Sequence, residues 1–250
     1  MPRLFLHELR SQQLLFWRNY EAAFFTFALP IIFLVLLGAV YGDSEIDGIS
    51  GSTFLLAGMI GYAVASSAFA GLGITLVIRR ESGVLKRVRG APIPPAVHLS
   101  GVIASTLIVV AVSVVVQVLI GHFAFDADWP TSPISFVVEL LIGAAVFAAL
   151  GLAITGLIKS QEGSSAVVNA IYLPMTFLSG AFFSTSSMPA FLEAIGNVLP
   201  LTYLLRMLRG SFVEGDTIAD HGTNIAVLLA WGAAGLIFAL RTFRWEPQEA

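Results

Sequence analysis

The chain has 250 residues, of which 57% are hydrophobic and 12% are charged, with a formal net charge of −3. A soluble globular domain carries about 25% charged residues, so this composition excludes an ordinary soluble protein and indicates an integral membrane protein. The chain contains no cysteine, which excludes disulfides, a thiolate nucleophile and cysteine-based metal sites.

The first 20 residues precede the first long apolar stretch and have an amphipathic pattern. Leu6, Leu9, Phe16 and Trp17 can share one side of a helix. The polar surface is expected to comprise Arg3, Glu8, Arg10, Gln12 and Arg18. A helix of this kind lies in the membrane interface with its apolar side toward lipid. We therefore predict an N-terminal interfacial helix over residues 1–20. The alternative is a solvated tail.

Six apolar stretches follow, and each is long enough to cross a bilayer, which takes about 20 residues per helix. Barrel strands alternate strictly between apolar and polar residues, and these stretches do not, so helices are favoured. We predict an all-α integral membrane protein with six transmembrane helices and a transmembrane domain over residues 21–245. The predicted spans are 22–41, 54–78, 99–121, 134–158, 165–183 and 223–240.

The basic residues predict how this topology is oriented. Eleven of the thirteen Lys and Arg residues fall on one side of the six spans, and only Arg206 and Arg209 fall on the other. Basic residues favour the cytoplasmic side, so both termini are expected in the cytoplasm, with the chain in the inner or plasma membrane. The first apolar run exceeds the 7–15 residues of a signal-peptide core, which predicts an uncleaved span.

The loop between the second and third spans, residues 79–98, holds five of the basic residues. A short helical pattern from Arg79 to Arg89 is followed by a proline-rich stop. This order predicts a rigid basic helix that a partner can bind, with Leu85 as its apolar anchor and polar contacts around it. The alternative is that the positive charges only anchor the topology.

The region 184–210 contains two helical patterns of 8–10 residues, separated by Pro200. Each pattern is too short to cross a bilayer, and proline breaks a continuous helix. The leucines in both halves disfavour open water. We predict a re-entrant helical hairpin between the fifth and sixth spans, with its break shielded by protein. The candidate gate residues are Pro189, Pro200, Tyr203 and Arg206.

Four polar residues inside the predicted spans are candidates for a substrate pathway. Glu139 is the only formal charge in a span, which makes it a functional hypothesis, although pairing with a neighbour near the outer end also explains it. Asn169, Thr176 and Ser179 lie in the fifth span. Hydrogen bonding between helices explains these three at least as well as substrate contact.

Enzyme signatures are absent from the sequence. It contains no HExxH, no Gly-x-Ser-x-Gly and no P-loop, because Lys86 and Lys159 follow Leu85 and Ile158 instead of glycine. We therefore expect no catalytic residues, no metal and no cofactor bound by this chain. If ATP drives this protein, a separate polypeptide hydrolyses it. A proton- or sodium-coupled transporter would place several ionisable groups near the membrane midplane, which this chain does not.

Three segments together resemble the permease subunit of ABC-2 type ABC transporters, a group of drug, lipid and polysaccharide exporters. The resemblance covers nearly the whole chain and depends on the order and spacing of the three segments. One difference is Val84, where the family often has Thr or Ser. The segments are Arg80-Glu81-Ser82-Gly83-Val84-Leu85-Lys86-Arg87-Val88-Arg89-Gly90-Ala91-Pro92, Leu178-Ser179-Gly180-Ala181-Phe182-Phe183 with Met188-Pro189, and Leu199-Pro200-Leu201-Thr202-Tyr203 with Arg206 and Arg209-Gly210.

This resemblance implies a drug- or lipid-exporter-like permease. It implies two permease chains, identical or related, and two ATPase subunits that use ATP and Mg²⁺, with a hydrophobic or amphipathic substrate passing between the permeases among membrane lipids. No nucleic-acid partner is expected. The alternatives are a membrane-embedded lipid-modifying enzyme and a channel or structural membrane protein. The residues implied to couple to the ATPase are Arg79, Arg80, Glu81, Gly83, Leu85, Lys86 and Arg87.

Overall fold

A computed structural model describes residues 2–91, 93–213 and 216–248, which are almost entirely helical. Residues 45–50 form a small antiparallel hairpin of β1 (Glu45–Ile46) and β2 (Ile49–Ser50), with Asp47 and Gly48 at positive φ in its turn. The helices are α1 (Pro2–Arg18), α2 (Tyr20–Tyr41), α3 (Gly51–Val64), α4 (Leu72–Glu81), α5 (Val84–Arg89), α6 (Pro95–Phe125), α7 (Pro133–Ile154), α8 (Gln161–Leu178), α9 (Ala190–Gly196), α10 (Pro200–Val213) and α11 (Gly222–Thr242).

Within the part of the chain that the structure describes, five helical segments are long and apolar enough to cross a membrane. Near the C-terminus, α9 and α10 form a pair bent by 84°, as in a broken span or a re-entrant loop. The all-α membrane fold and the bent pair before the last long helix are therefore confirmed. The five segments are Tyr20–Tyr41, Gly51–Glu81, Pro95–Phe125, Pro133–Ile154 and Gly222–Thr242.

The fifth predicted span, 165–183, differs from the helix found there. Helix α8 begins earlier, with a polar first turn, and is less apolar than the five long helices. It ends at Leu178 because Gly180 takes φ +81, a left-handed conformation that glycine adopts without strain. Ser179 is thus the C-cap residue of α8 and does not lie within a span.

Other helix ends also depart from the apolar stretches that predicted them. The second span begins at Gly51 and ends at Glu81, and the third runs from Pro95 to Phe125, because helical hydrogen bonding continues beyond the last apolar residue. The fourth ends at Ile154, four residues before the predicted end, where a turn follows.

The segment Gly51–Glu81 is the central helix of the bundle. It packs against α2, α6, α7, α8 and α10. Glycines allow the backbones to approach closely: a Cβ on Gly58 would lie 2.0 Å from the Ala181 carbonyl oxygen, and one on Gly151 would lie 2.5 Å from that of Ala68. Small residues at such contacts are what hold helices together within a bilayer.

The middle of the central helix is a π-helical segment, Ala65–Gly71, between α3 and α4. It contacts both α7 and α8. Such wide turns are rare and often occur at functional sites. The hydrophobic pattern does not predict this one, because a π-turn leaves an apolar stretch equally apolar.

Contacts among the described residues place the loops at two opposite ends of the bundle. At the basic end, Arg80 bonds to the turn after α7, Glu81 next to it accepts from the Gln248 backbone, and Glu8 of α1 pairs with His98. At the acidic end, Thr53 at the start of α3 bonds to Asp128, and Asp47 in the β-hairpin turn accepts from Ser184. These two faces are the basic end and the acidic end of the bundle.

Helix α1 packs along α6 at the basic end, where the Gln13 side chain donates to the Ser105 carbonyl oxygen at 3.0 Å. Leu6 and Trp17 are exposed, as expected for an amphipathic helix facing lipid. One detail is corrected: Glu8 and Gln12 were expected on the polar surface, but both are buried against α6.

Candidate functional site

The predicted basic helix at residues 79–89 is two helices. Helix α4 ends at Glu81, and the six-residue α5 begins after Gly83, whose φ of +71 turns the chain. Glycine takes this left-handed conformation readily, so it separates helices at low cost. The expectation of one continuous Arg79–Arg89 helix is therefore wrong. The short basic helix that a partner could bind is α5 alone.

Arg80 is buried, with only 1% of its surface exposed. Its guanidinium donates to the carbonyl oxygens of Thr155 at 2.8 Å and Ile158 at 2.6 Å, and it pairs with Glu81 at 2.5 Å. A buried charge needs such partners. Arg80 was expected to contact a partner protein directly; its burial corrects this, because the side chain is occupied in joining α4 to the turn after α7.

Leu85 is also fully buried within this chain. It was expected as an apolar contact for the partner, and this is corrected: Leu85 fixes α5 to the bundle. Arg79 is half-buried, and Glu81 accepts a hydrogen bond from the Gln248 backbone at 3.0 Å. The face that α5 presents to solvent carries Lys86, Arg87 and Arg89.

A buried polar cluster ties α1 to this region. Glu8 accepts hydrogen bonds from Gln12 and from the His98 ring at 2.9 Å, and Arg79 interacts with Glu8 electrostatically. The sequence offers no signal for the pairing of Glu8 with His98, because 90 residues separate them and neither belongs to a motif. The cluster places α1, the end of α4 and the start of α6 in one unit.

The bent pair brings most of the predicted gate residues together. Tyr203 donates its hydroxyl to the Asn197 carbonyl oxygen at 2.7 Å, and Arg206 donates to the Asn197 side chain. Pro200 begins α10 directly after the break, whereas Pro189 caps the far end of α9 and is exposed. The backbone of the break is satisfied by side chains, because the carbonyl oxygens at positions 196–198 accept from Thr202, Tyr203 and Trp231, whereas the Val198 side chain is exposed.

At the acidic end, Glu139 of α7 is fully buried. The Ser211 hydroxyl of α10 donates to Glu139 Oε2 at 2.7 Å. The Nε2 atom of His221 lies 3.6 Å from Glu139 Oε1 and 3.7 Å from Asp216 Oδ2. The Ser211 hydrogen bond across helices thus gives one oxygen of the intramembrane carboxyl a partner, while Oε1 has no hydrogen-bond partner among the described residues. These contacts join α7, α10 and the start of α11.

A cavity of about 330 Å³ opens beside this cluster. Sequence reasoning missed it, because its walls come from separate segments of the chain that only the tertiary fold brings together. Among the described residues, no group of His, Asp and Glu side chains is placed to hold a metal ion. The cavity is lined by Ile49, Arg206, Arg209, Gly210, Val213, Asp216, His221 and Asn224.

The other three candidate pathway residues lie on or next to α8. Asn169 is exposed on the helix surface, Thr176 donates to the Leu173 carbonyl oxygen within α8, and Ser179 is buried at its end. Helix α8 contacts α4, α9 and the π-helical segment, and the described contacts do not bring these residues to Glu139. The four candidates therefore do not form one site.

An aromatic cluster beside the π-helical segment was not predicted. Tyr62 lies 5.7 Å from Tyr172 and 5.6 Å from Phe182 between ring centroids, and Phe182 lies 5.0 Å from Phe177. Phe177 and Phe183 are about half exposed. Tyr62, Tyr172 and Phe182 are buried, so the open part of this aromatic face, between α3 and α8, is formed by the other two rings. Such a surface suits an apolar ligand or another transmembrane surface.

Comparison with known proteins agrees with this architecture. The model of the ABC-2 type transporter family matches residues 3–213. The chain is 27% identical over 217 residues to the protein named transport permease YvfS of Bacillus subtilis (strain 168), covering 86% of each chain. It is 25% identical over 206 residues to the inner membrane transport permease YadH of Escherichia coli (strain K12), covering 80% of this chain and 78% of YadH.

A further relative is nodulation protein J of Rhizobium meliloti (strain 1021), which is 26% identical over 223 residues, covering 86% of this chain and 82% of the relative. The family match spans the helices from α1 to α10 and so includes α5 and the bent pair. With its several membrane-spanning helices, the chain belongs to the ABC-2 type transporter family of membrane permeases.

Proposed function

We propose that this chain is the transmembrane subunit of an ATP-driven exporter, and that a separate ATPase subunit, using ATP and Mg²⁺, docks on α5. The observation that carries the proposal is the exposed basic face of α5, Lys86, Arg87 and Arg89, on a helix whose apolar side chain Leu85 is fully buried. In this proposal the basic end, with both termini, faces the cytoplasm.

The way in which α5 is attached to the helix bundle supports a mechanical role. Because Arg80 bonds to the carbonyl oxygens after α7, movement of α5 would reach two membrane helices together. The polar cluster around Glu8 adds α1 and α6 to the same unit. ATP-driven movement of the docked subunit would then shift packed helices between two arrangements that open the pathway to opposite sides.

The aromatic face between α3 and α8 is where we place the substrate pathway and the second permease chain, identical or related. The exposed amide of Asn169 supports this, because a polar group facing lipid alone is unfavourable. Contact of this amide with a second permease chain or with an aqueous path costs less free energy than contact with lipid. The half-exposed rings of Phe177 and Phe183 favour a hydrophobic or amphipathic substrate, drug- or lipid-like.

The test is charge reversal on the exposed face of α5. Arg87→Glu and Lys86→Glu should leave the permease folded but weaken its association with the ATPase, with a strong dependence on salt because the affected charges are exposed. Hydrolysis by the reconstituted complex should then lose its stimulation by substrate. Arg241→Glu, at the end of α11, makes the same change in charge outside α5 and serves as the control. Equal effects of all three substitutions would refute docking on α5.

One observation bears on the alternative of a lipid-modifying enzyme. The structure does gather Glu139, Asp216 and His221 at one end of the bundle. However, the nearby Ser211 hydroxyl donates to buried Glu139, and it does not line the cavity as a nucleophile would. The cluster therefore favours pairing between helices over acyl or phosphoryl transfer.

A further inference from the structure

We propose that the cavity at the acidic end seats the anionic headgroup, a phosphate or carboxylate, of an amphipathic ligand. Naming an amphiphile rests on the proposed function, whereas the anionic chemistry rests on the cavity itself. The two guanidinium groups on its walls, Arg206 and Arg209, outnumber the single carboxylate there, Asp216.

Neither guanidinium is neutralised by a described carboxylate within 4.0 Å. Arg206 donates to the neutral Asn197 amide, and Arg209 donates to the Gly180 carbonyl oxygen while its guanidinium covers the Phe54 ring at 3.7 Å. Guanidinium groups bind phosphate and carboxylate through paired hydrogen bonds. The Asp47 carboxylate also acts on Arg209, but from beyond 4.0 Å, so the positive charge of both groups is available to a ligand in the cavity.

Two buried nitrogen atoms at the cavity lack a hydrogen-bond partner among the described residues. They are Nε2 of His221, a residue only 6% exposed, and Nε of Arg209. The carboxylates nearest to His221 Nε2 stand at 3.6 and 3.7 Å, beyond hydrogen-bonding distance. Buried donors left without an acceptor are costly, and this cost favours an oxyanion in the adjoining cavity that draws the two side chains toward it.

Gly210 keeps the cavity open. A Cβ at this position would lie 2.7 Å from both Asp216 Oδ2 and His221 Cε1. Any side chain at this position would therefore displace the His221 imidazole and the Asp216 carboxylate. The glycine lets both groups approach the α10 backbone beside the two arginines.

Asp216 sets the selectivity of the site. Its carboxylate lies on the cavity wall and repels an anion, so binding reflects the excess of two guanidinium groups over one carboxylate. A single headgroup suits this balance better than a highly charged ligand. Removing the Asp216 charge should strengthen anion binding, which a merely structural carboxylate would not do.

The experiment is calorimetric titration of the purified full chain, in an uncharged detergent, with dihexanoyl phosphatidic acid, dihexanoyl phosphatidylcholine and inorganic phosphate. We expect phosphatidic acid to bind more tightly than phosphatidylcholine. Arg206→Gln should weaken its binding about tenfold, the scale of one charge-assisted hydrogen bond, and Asp216→Asn should strengthen it. Arg241→Gln, at the opposite end of α11, should leave the affinity unchanged.

Arg206 is exposed, so its substitution should preserve the fold, which size-exclusion chromatography checks. Unchanged affinity in Arg206→Gln, or equal binding of phosphatidylcholine, would overturn the proposal. If inorganic phosphate binds as tightly as phosphatidic acid, with the same dependence on Arg206, the headgroup assignment is overturned and the cavity is a free-anion site. The assay involves no ATPase, so its failure leaves docking on α5 untouched, and the converse also holds.

Discussion

At the scale of single residues, Arg80 defines the basic end. It is a buried cation, and its three partners are the Glu81 carboxylate and two carbonyl oxygens beyond α7. Removing one member of such a buried set leaves an uncompensated charge, which costs about 3–5 kcal/mol. Arg80 thus ties the end of α4, just before α5, to the turn after α7.

Leu85 provides the residue-scale prediction. Leu85→Ala should cost about 2–5 kcal/mol in local stability, because a buried leucine is replaced by a cavity, and Leu85→Asp should detach α5 altogether. Hydrogen exchange of the amides in residues 84–89 should accelerate while the long helices stay protected. Lys86→Ala, on the exposed face, is the matched control. Unchanged exchange in Leu85→Asp would contradict the anchoring role.

Residues also mark where sequence reasoning reaches its limit. The basic composition of the loop predicted a docking surface, but it could not tell which of its side chains face inward. Arg80 is buried against the turn from Thr155 to Ile158, about 75 positions away, and Leu85 is buried in α5, which packs against α4 and α6. The same holds for Glu8 with His98 and for Glu139 with His221, where only the tertiary fold brings the partners together.

At the scale of elements, apolar length predicted most of this fold. The long apolar stretches became long helices, and the bent pair followed from two short leucine-rich patterns around Pro200. The π-helical segment and the break at Gly83 could not be predicted this way. Both depend on local backbone geometry, which leaves hydrophobicity unchanged. The end of α8 was misplaced for the same reason, because Gly180 ends the helix within an apolar run.

The element-scale prediction concerns α10. Leu204 is fully buried, and it lies so close to α7 that a Cβ on Gly143 would come within 2.6 Å of it. Leu204→Asn should destabilise the bent pair by about 1–3 kcal/mol, the cost of burying an unpaired polar group, and should lower the thermal unfolding temperature. Val198→Asn, at an exposed position near the bend, should have little effect. An unchanged unfolding temperature in Leu204→Asn would mean that α10 is an ordinary solvated segment.

At the scale of the whole molecule, the central helix joins the two candidate sites. Its basic end leads through Glu81 and Gly83 into α5, and near its acidic end the Phe54 ring supports the Arg209 guanidinium at 3.7 Å. The π-helical segment lies between them, against α7 and α8. A shift at α5 therefore has a continuous packed route to the cavity, although α7 and α10 also connect the two ends.

The central claim, that an ATPase subunit docks on α5 from the cytoplasm, is tested most directly by cross-linking. Because the chain has no cysteine, Arg87→Cys and Asp128→Cys each provide a single thiol. In membranes that contain the partner ATPase, Arg87→Cys should cross-link to that subunit and resist an impermeant thiol reagent added to intact cells. Asp128→Cys should do the reverse. Cross-linking of the ATPase to position 128, or labelling of position 87 from outside, would contradict the account.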